Sequence, residues 1–578
     1  MRRGSTHWGS SVSEVRGPAA RSTMAAMTGA ESIAAAILAL LATAIGFAYV
    51  ADLAGFPIQA FLALAVAAAA GAGTLAAAGR RARWDWGEVA AFVSVVAAVF
   101  GWLLSLAWPS LLPVGRGSDL AHHLVLIDYI EHHGRLVHGA PAGMGEMALY
   151  SPGSHVLIAI AGAWLRSDGL HAAHSVVAFT VALKAGFVFL MTLRLLPAGA
   201  SRIPVALSAV LLLAVPRSYV VGGFTQDSFL AQVVSELFAV GMWWALAAWE
   251  ARRGAGAMVL FALSGAAAFL SWPVWIGPPM LALVCVALGA RDRPLKERAA
   301  HAALGAAPIV AVAAVYMASR LQGLAILQTG GSVLRPTSGD VRWWFVLLAA
   351  AGLVLIIARA RSRATIAFTG AIAAQAAVLF AVASARGADS PYLALKMFYL
   401  AVYPLSAAGA VALGAGWHKA VCWSSRTPLA PRLRGPLAAG SAWALIALAG
   451  IGTARQLAAV PRPVPVVSEA LYQAGSWARE HVERGCVDYL VRSEHTGYWL
   501  HLAVLRNPRE GAWMNRPDAF DPHRSMARWI EPAGLPFAIA DLSILPNDVR
   551  TQVDVLAQFG GAAVIGRRGA TSCAERLP

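Results

Sequence analysis

The sequence predicts an all-α polytopic membrane protein carrying a small α/β domain at its C-terminal end. Three observations lead there. The 578 residues are 58% hydrophobic and only 13% charged, whereas soluble domains carry about a quarter charged residues. Apolar windows of about 20 residues recur, each long enough to cross roughly 30 Å of hydrocarbon. From about residue 457 the composition turns into an ordinary soluble mixture in which strand-like and helix-like patterns alternate.

In chain order, residues 1–28 are polar and contain Arg2, Arg3, Arg16 and Arg21, which reads as a disordered cytoplasmic tail, with Met24 and Met27 as alternative starts. The apolar run near 31–50 is too long for a signal-peptide core and has no convincing cleavage site, so it is expected to remain as a helix. Further spans are expected near 57–79, 88–108, 171–195, 203–221, 230–249, 256–271, 273–290, 299–319, 342–358, 364–384, 395–416 and 437–455, about 13 with the first. Trp272-Pro273 is either a turn between two spans or a kink in one.

Loop charge gives the orientation. Arg80, Arg81 and Arg83, then Arg194 with Arg202, Arg252 with Arg253, the run at 291–298, Arg359 to Arg363, and Lys419 to Arg434 fall on alternate loops with the N-terminal tail. Positive loops stay cytoplasmic. The N-terminus is therefore expected inside, with the 109–170 loop and the C-terminal domain outside. This distribution also accounts for the net charge of +16 without a nucleic-acid partner.

The 109–170 loop is the polar centre of the chain. Eight of the 15 histidines lie between His122 and His174. Leu120, Leu124, Ile127 and Ile130 recur at helical spacing, with His122, His123, Glu131 and His132 off the stripe, so 119–133 is expected to lie as an amphipathic helix on the membrane surface. Residues 151–165 are too short to span comfortably and read as a second interfacial or re-entrant helix, with Pro152 near its first turn.

After the proline-rich linker PRPVPVV, the stretches 486–492, 536–542 and 562–566 read as buried strands, and 495–505 and 547–559 as helices. Neither GxGxxG nor GxxxxGK[ST] is present, so nucleotide binding has no support. The four cysteines (Cys285, Cys422, Cys486 and Cys573) contain no CxxC pair, which excludes a zinc knuckle. An exported domain permits a Cys486–Cys573 disulfide.

Several residue types point to chemistry, each with a plainer alternative. Asp119 beside a membrane helix can serve as a general base, or simply cap the helix that it begins. His122 and His123, three and four residues on, lie within its reach on a helix. They could orient the carboxylate, complete a divalent-metal site with Asp119, or be interfacial residues. No other cofactor is called for. Asp227 lies in a second outer loop. Glu236, deeper in the next span, is an intramembrane carboxylate and hence a functional candidate, or else a structural partner for a neighbouring helix. Lys396 near the outer end of a late span could hold a phosphate or snorkel to the interface, with Arg386 a more exposed cation nearby. Trp243-Trp244, Trp272, Trp275 and Trp343-Trp344 match aromatic belts, a sugar-stacking platform being the other reading.

Taken together, GSDLAHH, DYIEHHGRL and YSPGSH in the first loop, TQDS in the second, and LKMFYLAVYP in a late helix resemble the GT-C superfamily of polytopic membrane glycosyltransferases, in particular its arabinofuranosyl- and mannosyltransferase-like members. The resemblance covers roughly 85–416. It implies a transmembrane domain over 29–456 with an outer catalytic loop at 109–170, and an extracytoplasmic domain over 457–578. It also implies sugar transfer from a polyprenyl-phosphate donor to a glycan, lipid or protein acceptor outside the cytoplasmic membrane. Asp119 becomes the base, Asp227 an assisting acid and Lys396 the donor-phosphate contact, with Tyr392, His155, His122, His123, Glu236 and Arg386 among the substrate-binding residues. The chain departs from the pattern in its lone first-loop Asp and in two extra helices over 31–79. Other classes with large outer polar regions are a flippase or transporter of lipid-linked saccharides, using Glu236, an O-antigen-type polymerase or ligase, and a structural scaffold.

Overall fold

The computed structural model describes residues 27–115, 119–139, 141, 144–197, 202–252, 254–318, 333, 335–337, 339–388, 390–424, 431–458, 463, 465–507, 517–531 and 534–569. The N-terminal tail to residue 26, residues 461, 462 and 464 of the proline-rich linker, and Cys573 lie outside them.

The membrane domain is a helical bundle. Its helices are α1 (Gly29–Leu53), α2 (Ala60–Gly79), α3 (Trp86–Ala107), α4 (Asp119–His133), α5 (Gly153–Leu165), α6 (Gly169–Leu195) and α7 (Arg202–Leu212). They continue with α8 (Leu230–Arg252), α9 (Ala255–Ser271), α10 (Gly277–Gly289), α11 (Leu295–Ala318), α12 (Trp343–Ala358), α13 (Arg363–Ala385), α14 (Tyr392–Ser424) and α15 (Pro431–Ala458). Among the described residues, eight helices are long and apolar enough to cross a membrane. Helices α7, α9, α10 and α12 match expected spans but are shorter.

Two boundaries differ from expectation. The span expected over 203–221 is helical only to Leu212, followed by turns and a wide helical turn at Ser218–Gly222. Pro216 supplies the reason, since it lacks an N–H and disfavours helix at the residue before it. At Trp272 the backbone is extended, ending α9 before the short turn Pro273–Ile276. Arg293 then bonds the Trp249 carbonyl at 3.0 Å, so the chain is back at the end where α8 finishes. Two passes fit this, not one kinked helix.

Helix α8 is enclosed by its neighbours along its apolar length. Close approach elsewhere depends on a missing side chain. A Cβ on Gly352 of α12 would sit 1.8 Å from the Ala408 carbonyl oxygen of α14.

One end of the bundle gathers arginine contacts, with Arg194 on Glu31, Arg202 on Glu88 and Arg361 on the Leu195 carbonyl. The opposite end carries α4, α5 and the C-terminal domain. There Asp52, at the end of α1, accepts the Leu136 N–H at 3.0 Å and faces His138 at 2.8 Å. The extra N-terminal helix thus ties down the long loop.

The C-terminal domain is a four-stranded sheet in the order β1-β2-β4-β3, with β1 (Val487–Leu490), β2 (Phe537–Asp541), β3 (Val553–Phe559) and β4 (Ala562–Arg567). Strands β1 and β2 are parallel and the other pairs antiparallel. Side chains alternate between faces. Tyr489, Ile539 and Val564 join the core that continues into the membrane helices, while Leu490, Ala538, Ala540 and Ile565 form a second cluster with Trp529. The helix expected over 547–559 is short, ending at Arg550, and its second half is β3. VDVLAQF places Val553, Val555, Ala557 and Phe559 at alternate positions, a strand period. Cys486 is disulfide-bonded and Cys285 is free.

Candidate functional site

Helix α4 forms as expected, but it does not lie on a membrane surface. Its apolar stripe is buried, and so are His122, His123 and Asp128. The cause is the C-terminal domain, which covers the polar side. His122 Nε2 lies 2.5 Å from the Tyr498 hydroxyl. Arg479 sits 3.4 Å from Asp128, and Arg506 contacts the same carboxylate. His132 and His133, at the free end, are exposed. Burial lifts the Asp128 carboxyl to about 6 against the opposing charge of Arg479, and lifts Glu131 to about 7.

Helix α5 reaches the site through Gly153. A Cβ there would sit 2.7 Å from Ser271 Oγ and 2.9 Å from the Leu270 backbone, so only glycine lets α5 touch the end of α9. This contact sets Tyr150 against Trp272, with ring centroids 5.9 Å apart. His155 is fully enclosed, and its Nε2 is 2.9 Å from His123 Nδ1. Burial pushes the His155 imidazole down to about 3 and His123 well below its usual range. The two rings are therefore a neutral, hydrogen-bonded pair.

Helix α14 brings the other side. Lys396, Tyr399 and Tyr403 are three and four residues apart and share one face. Lys396 is 2% exposed. It lies 3.9 Å from the centroid of Phe229, 4.5 Å from Tyr392 and 5.0 Å from Trp272. Among the described residues it has neither a hydrogen-bond nor an ion-pair partner. Of the charges acting on it, Asp119 is the strongest, then Asp227, then Glu236. Asp119 and Asp227 both act on Tyr392 as well. Asp119 itself is exposed. Asp227 accepts the Tyr399 hydroxyl at 3.0 Å, and burial raises its carboxyl above the usual range despite Tyr399 and Lys396. The second loop abuts the first where Gly115, at φ +146°, leaves room for Ser228; a Cβ would be 2.5 Å from Ser228 Oγ.

The first loop, the second loop and the late helix thus meet at one end of the bundle, around a buried cation. Asp119, Asp227, Tyr392, Lys396 and His123 belong to this cluster, with His155 behind His123 and His122 beside Asp119. Arg386 is exposed past the end of α13 and makes no contact with the cluster among the described residues.

Glu236 is placed differently. Its carboxylate takes Lys184 at 2.6 Å, the Tyr403 hydroxyl at 2.8 Å and Gln232 at 3.2 Å, all buried. Such a group locks α6, α8 and α14 together and has no free edge for a substrate or a coupling ion. The sequence gives no sign of Lys184, and Tyr150, Tyr399 and Tyr403 enter it only as parts of YSPGSH and LKMFYLAVYP, with no role assigned. The spacing of Lys396, Tyr399 and Tyr403 was the available signal for two of them.

Trp243 and Trp244 also depart from the belt reading. Both are enclosed, with indole N–H groups on Thr365 and Glu31. Trp343 and Trp344 are exposed, as a belt requires.

Asp119, His122 and His123 do not make a metal ligand set. His122 is turned to Tyr498 and His123 to His155, and no group of three or more His, Cys, Asp or Glu side chains suited to a metal occurs among the described residues.

No protein-family model matches the chain, and no curated protein matches it. Similar solved structures include ArnT from Cupriavidus metallidurans in the apo state, with a TM-score of 0.46, 15% identity, and coverage of 83% of this chain and 97% of that one. The same protein bound to undecaprenyl phosphate gives 0.46 and 16%, covering 83% and 98%. An oligosaccharyltransferase from Archaeoglobus fulgidus gives 0.45 and 14%, covering 78% and 70%.

Proposed function

We propose that this chain is a membrane glycosyltransferase that moves a sugar from a polyprenyl-phosphate donor to an extracytoplasmic glycan, lipid or protein acceptor. The observation that carries the reading is the convergence on one site of Asp119 from an early loop and Lys396 from a late helix, sequence-distant groups of opposite charge. Among the described residues the Lys396 ammonium meets three aromatic rings and is a desolvated charge without a counter-ion in contact. A phosphodiester headgroup supplies one, and helix ends beside the bilayer place the site where a lipid-borne phosphate arrives.

In the reaction, the acceptor oxygen attacks the anomeric carbon while the bond to the phosphate oxygen breaks. Asp119, exposed at the start of α4, takes the acceptor proton. The electron pair leaves with the lipid phosphate, whose growing charge Lys396 meets. Asp227, held by Tyr399, assists from the second loop, and a single displacement inverts the anomeric configuration. The orientation that puts this end outside follows from the positive loops at the other end.

Asp119→Asn tests the assignment. Transfer of labelled sugar from polyprenyl-phosphate donors should fall at least about 10²-fold in protein that elutes and melts like wild type. Undiminished transfer in such protein removes Asp119 as the base.

A further inference from the structure

We propose that Trp272 and Tyr150 form the platform on which the donor's sugar ring lies while Lys396 holds its phosphate, an assignment that rests on the transferase reading above. Among the described residues, Trp272 is the ring that meets both halves of the site: its centroid is 5.0 Å from the Lys396 ammonium and 5.9 Å from Tyr150. Tyr150 continues toward the first loop, at 5.1 Å from His123 and 5.8 Å from His155. Lys396 is enclosed, but Trp272 and Tyr150 each keep part of their surface open. Tyr392, also against the ammonium at 4.5 Å, is partly open as well, so these rings are the surfaces beside Lys396 that a ligand can meet.

The donor's own connectivity does the rest. Its sugar is joined to the phosphate through a single oxygen, so a phosphate on Lys396 fixes the sugar within one ring's reach. Of the two partly open rings against Lys396, among the described residues Trp272 continues into a second ring, Tyr150, tilted 35° to it, whereas Tyr392 stands alone. A sugar presents an apolar C–H face that an aromatic surface can cover. The platform is also rigidly built. Ser235 Oγ donates to the Trp272 carbonyl at 3.2 Å, the Trp272 N–H reaches the Ala268 carbonyl at 2.8 Å, and Gly153 permits the approach that brings Tyr150 in. Phe229 is the internal contrast, since it also lies against Lys396 but has no ring contact with Tyr150.

Binding measurements on the full-length protein in detergent, with two kinds of probe, test this. Farnesyl phosphate reports the phosphate site alone. A panel of farnesyl-phosphoryl pentoses and hexoses reports the sugar, the tightest member being used. Trp272→Leu and Tyr150→Leu should each weaken the sugar-bearing probe about 10-fold, leave farnesyl phosphate within twofold, and keep the thermal transition of wild type. Trp272→Phe, which retains a ring, should recover most of the loss. Phe229→Leu and Lys396→Met should weaken both probes alike. Equal weakening of both probes by Trp272→Leu would reduce Trp272 to a cage for the cation. No weakening by either Leu variant, or no advantage of any sugar-bearing probe over farnesyl phosphate on wild type, would overturn the platform. Failure of Lys396→Met to affect farnesyl phosphate would instead strike the transferase reading, which separates the two.

Discussion

Lys396 is the residue on which the proposed chemistry turns. Snorkelling to the interface was the plainer expectation for a lysine near a helix end, yet its ammonium is enclosed by Phe229, Tyr392 and Trp272. Cation–π contacts partly offset the lost hydration, and the remaining deficit favours an anion. Lys396→Met should lower affinity for undecaprenyl phosphate about 10- to 100-fold, the worth of one hydrogen bond to a charged group, as read by thermophoresis. Unchanged affinity would mean that the ammonium serves only the fold. At this scale the sequence was informative where a residue type is rare in its setting. Asp119, Asp227 and Lys396 stand out as charges at the ends of apolar runs. Tyr150 and Trp272 do not, because a half-open aromatic at a membrane interface has the same local signature whether it faces lipid or a site.

Among the elements, α4 and the trio α6, α8 and α14 behave as built-in anchors. Glu131 of α4 accepts the Gly169 N–H, and burial raises its carboxyl from 4.5 to about 7. A folded-state value above the unfolded one means that the native protein holds this proton more tightly. Its contribution is therefore most favourable below about 4.5 and is lost as pH rises to about 7. Glu131→Gln should accordingly stabilise the protein at pH 8 by at most about 3 kcal/mol, with no gain at pH 4. Melting curves at the two pH values show it, and an equal effect at both would refute the burial argument. In the trio, removal of one partner leaves the other charge stranded. Lys184→Met should cost about 3–5 kcal/mol, and the double variant Lys184→Met with Glu236→Leu should recover much of that. Denaturant unfolding in detergent provides the comparison. Helix periods gave these elements and most of their ends, but the partner of Glu236 was not legible, since Lys184 sits unmarked in an apolar run and only the bundle brings the two together.

The molecule as a whole is a single packed body in which the C-terminal domain reaches the candidate site. One continuous core runs from the membrane helices into Tyr489, Tyr498 and Val564, and Tyr498 reaches His122, three residues from Asp119. Tyr498→Phe is expected to lower kcat several-fold with little change in donor KM, and its effect should not add to that of His122→Gln. Additive effects would make the contact incidental. The amphipathic pattern of α4 was readable, whereas its covering partner was not, because periodicity records that a face is polar and not whether water or another domain meets it. The strand at Val553–Phe559 was misjudged for a related reason. An edge strand exposed on one face and only half-buried on the other lacks the apolar run that marks a buried one.

The most direct measurement of the central claim is a cryo-electron microscopy map of the full chain with undecaprenyl phosphate bound. The account predicts a phosphate density in hydrogen-bonding reach of Lys396, bordered by Asp119 and Asp227. A headgroup resting instead at another opening of the bundle, with Lys396 still enclosed by its three rings, would contradict it.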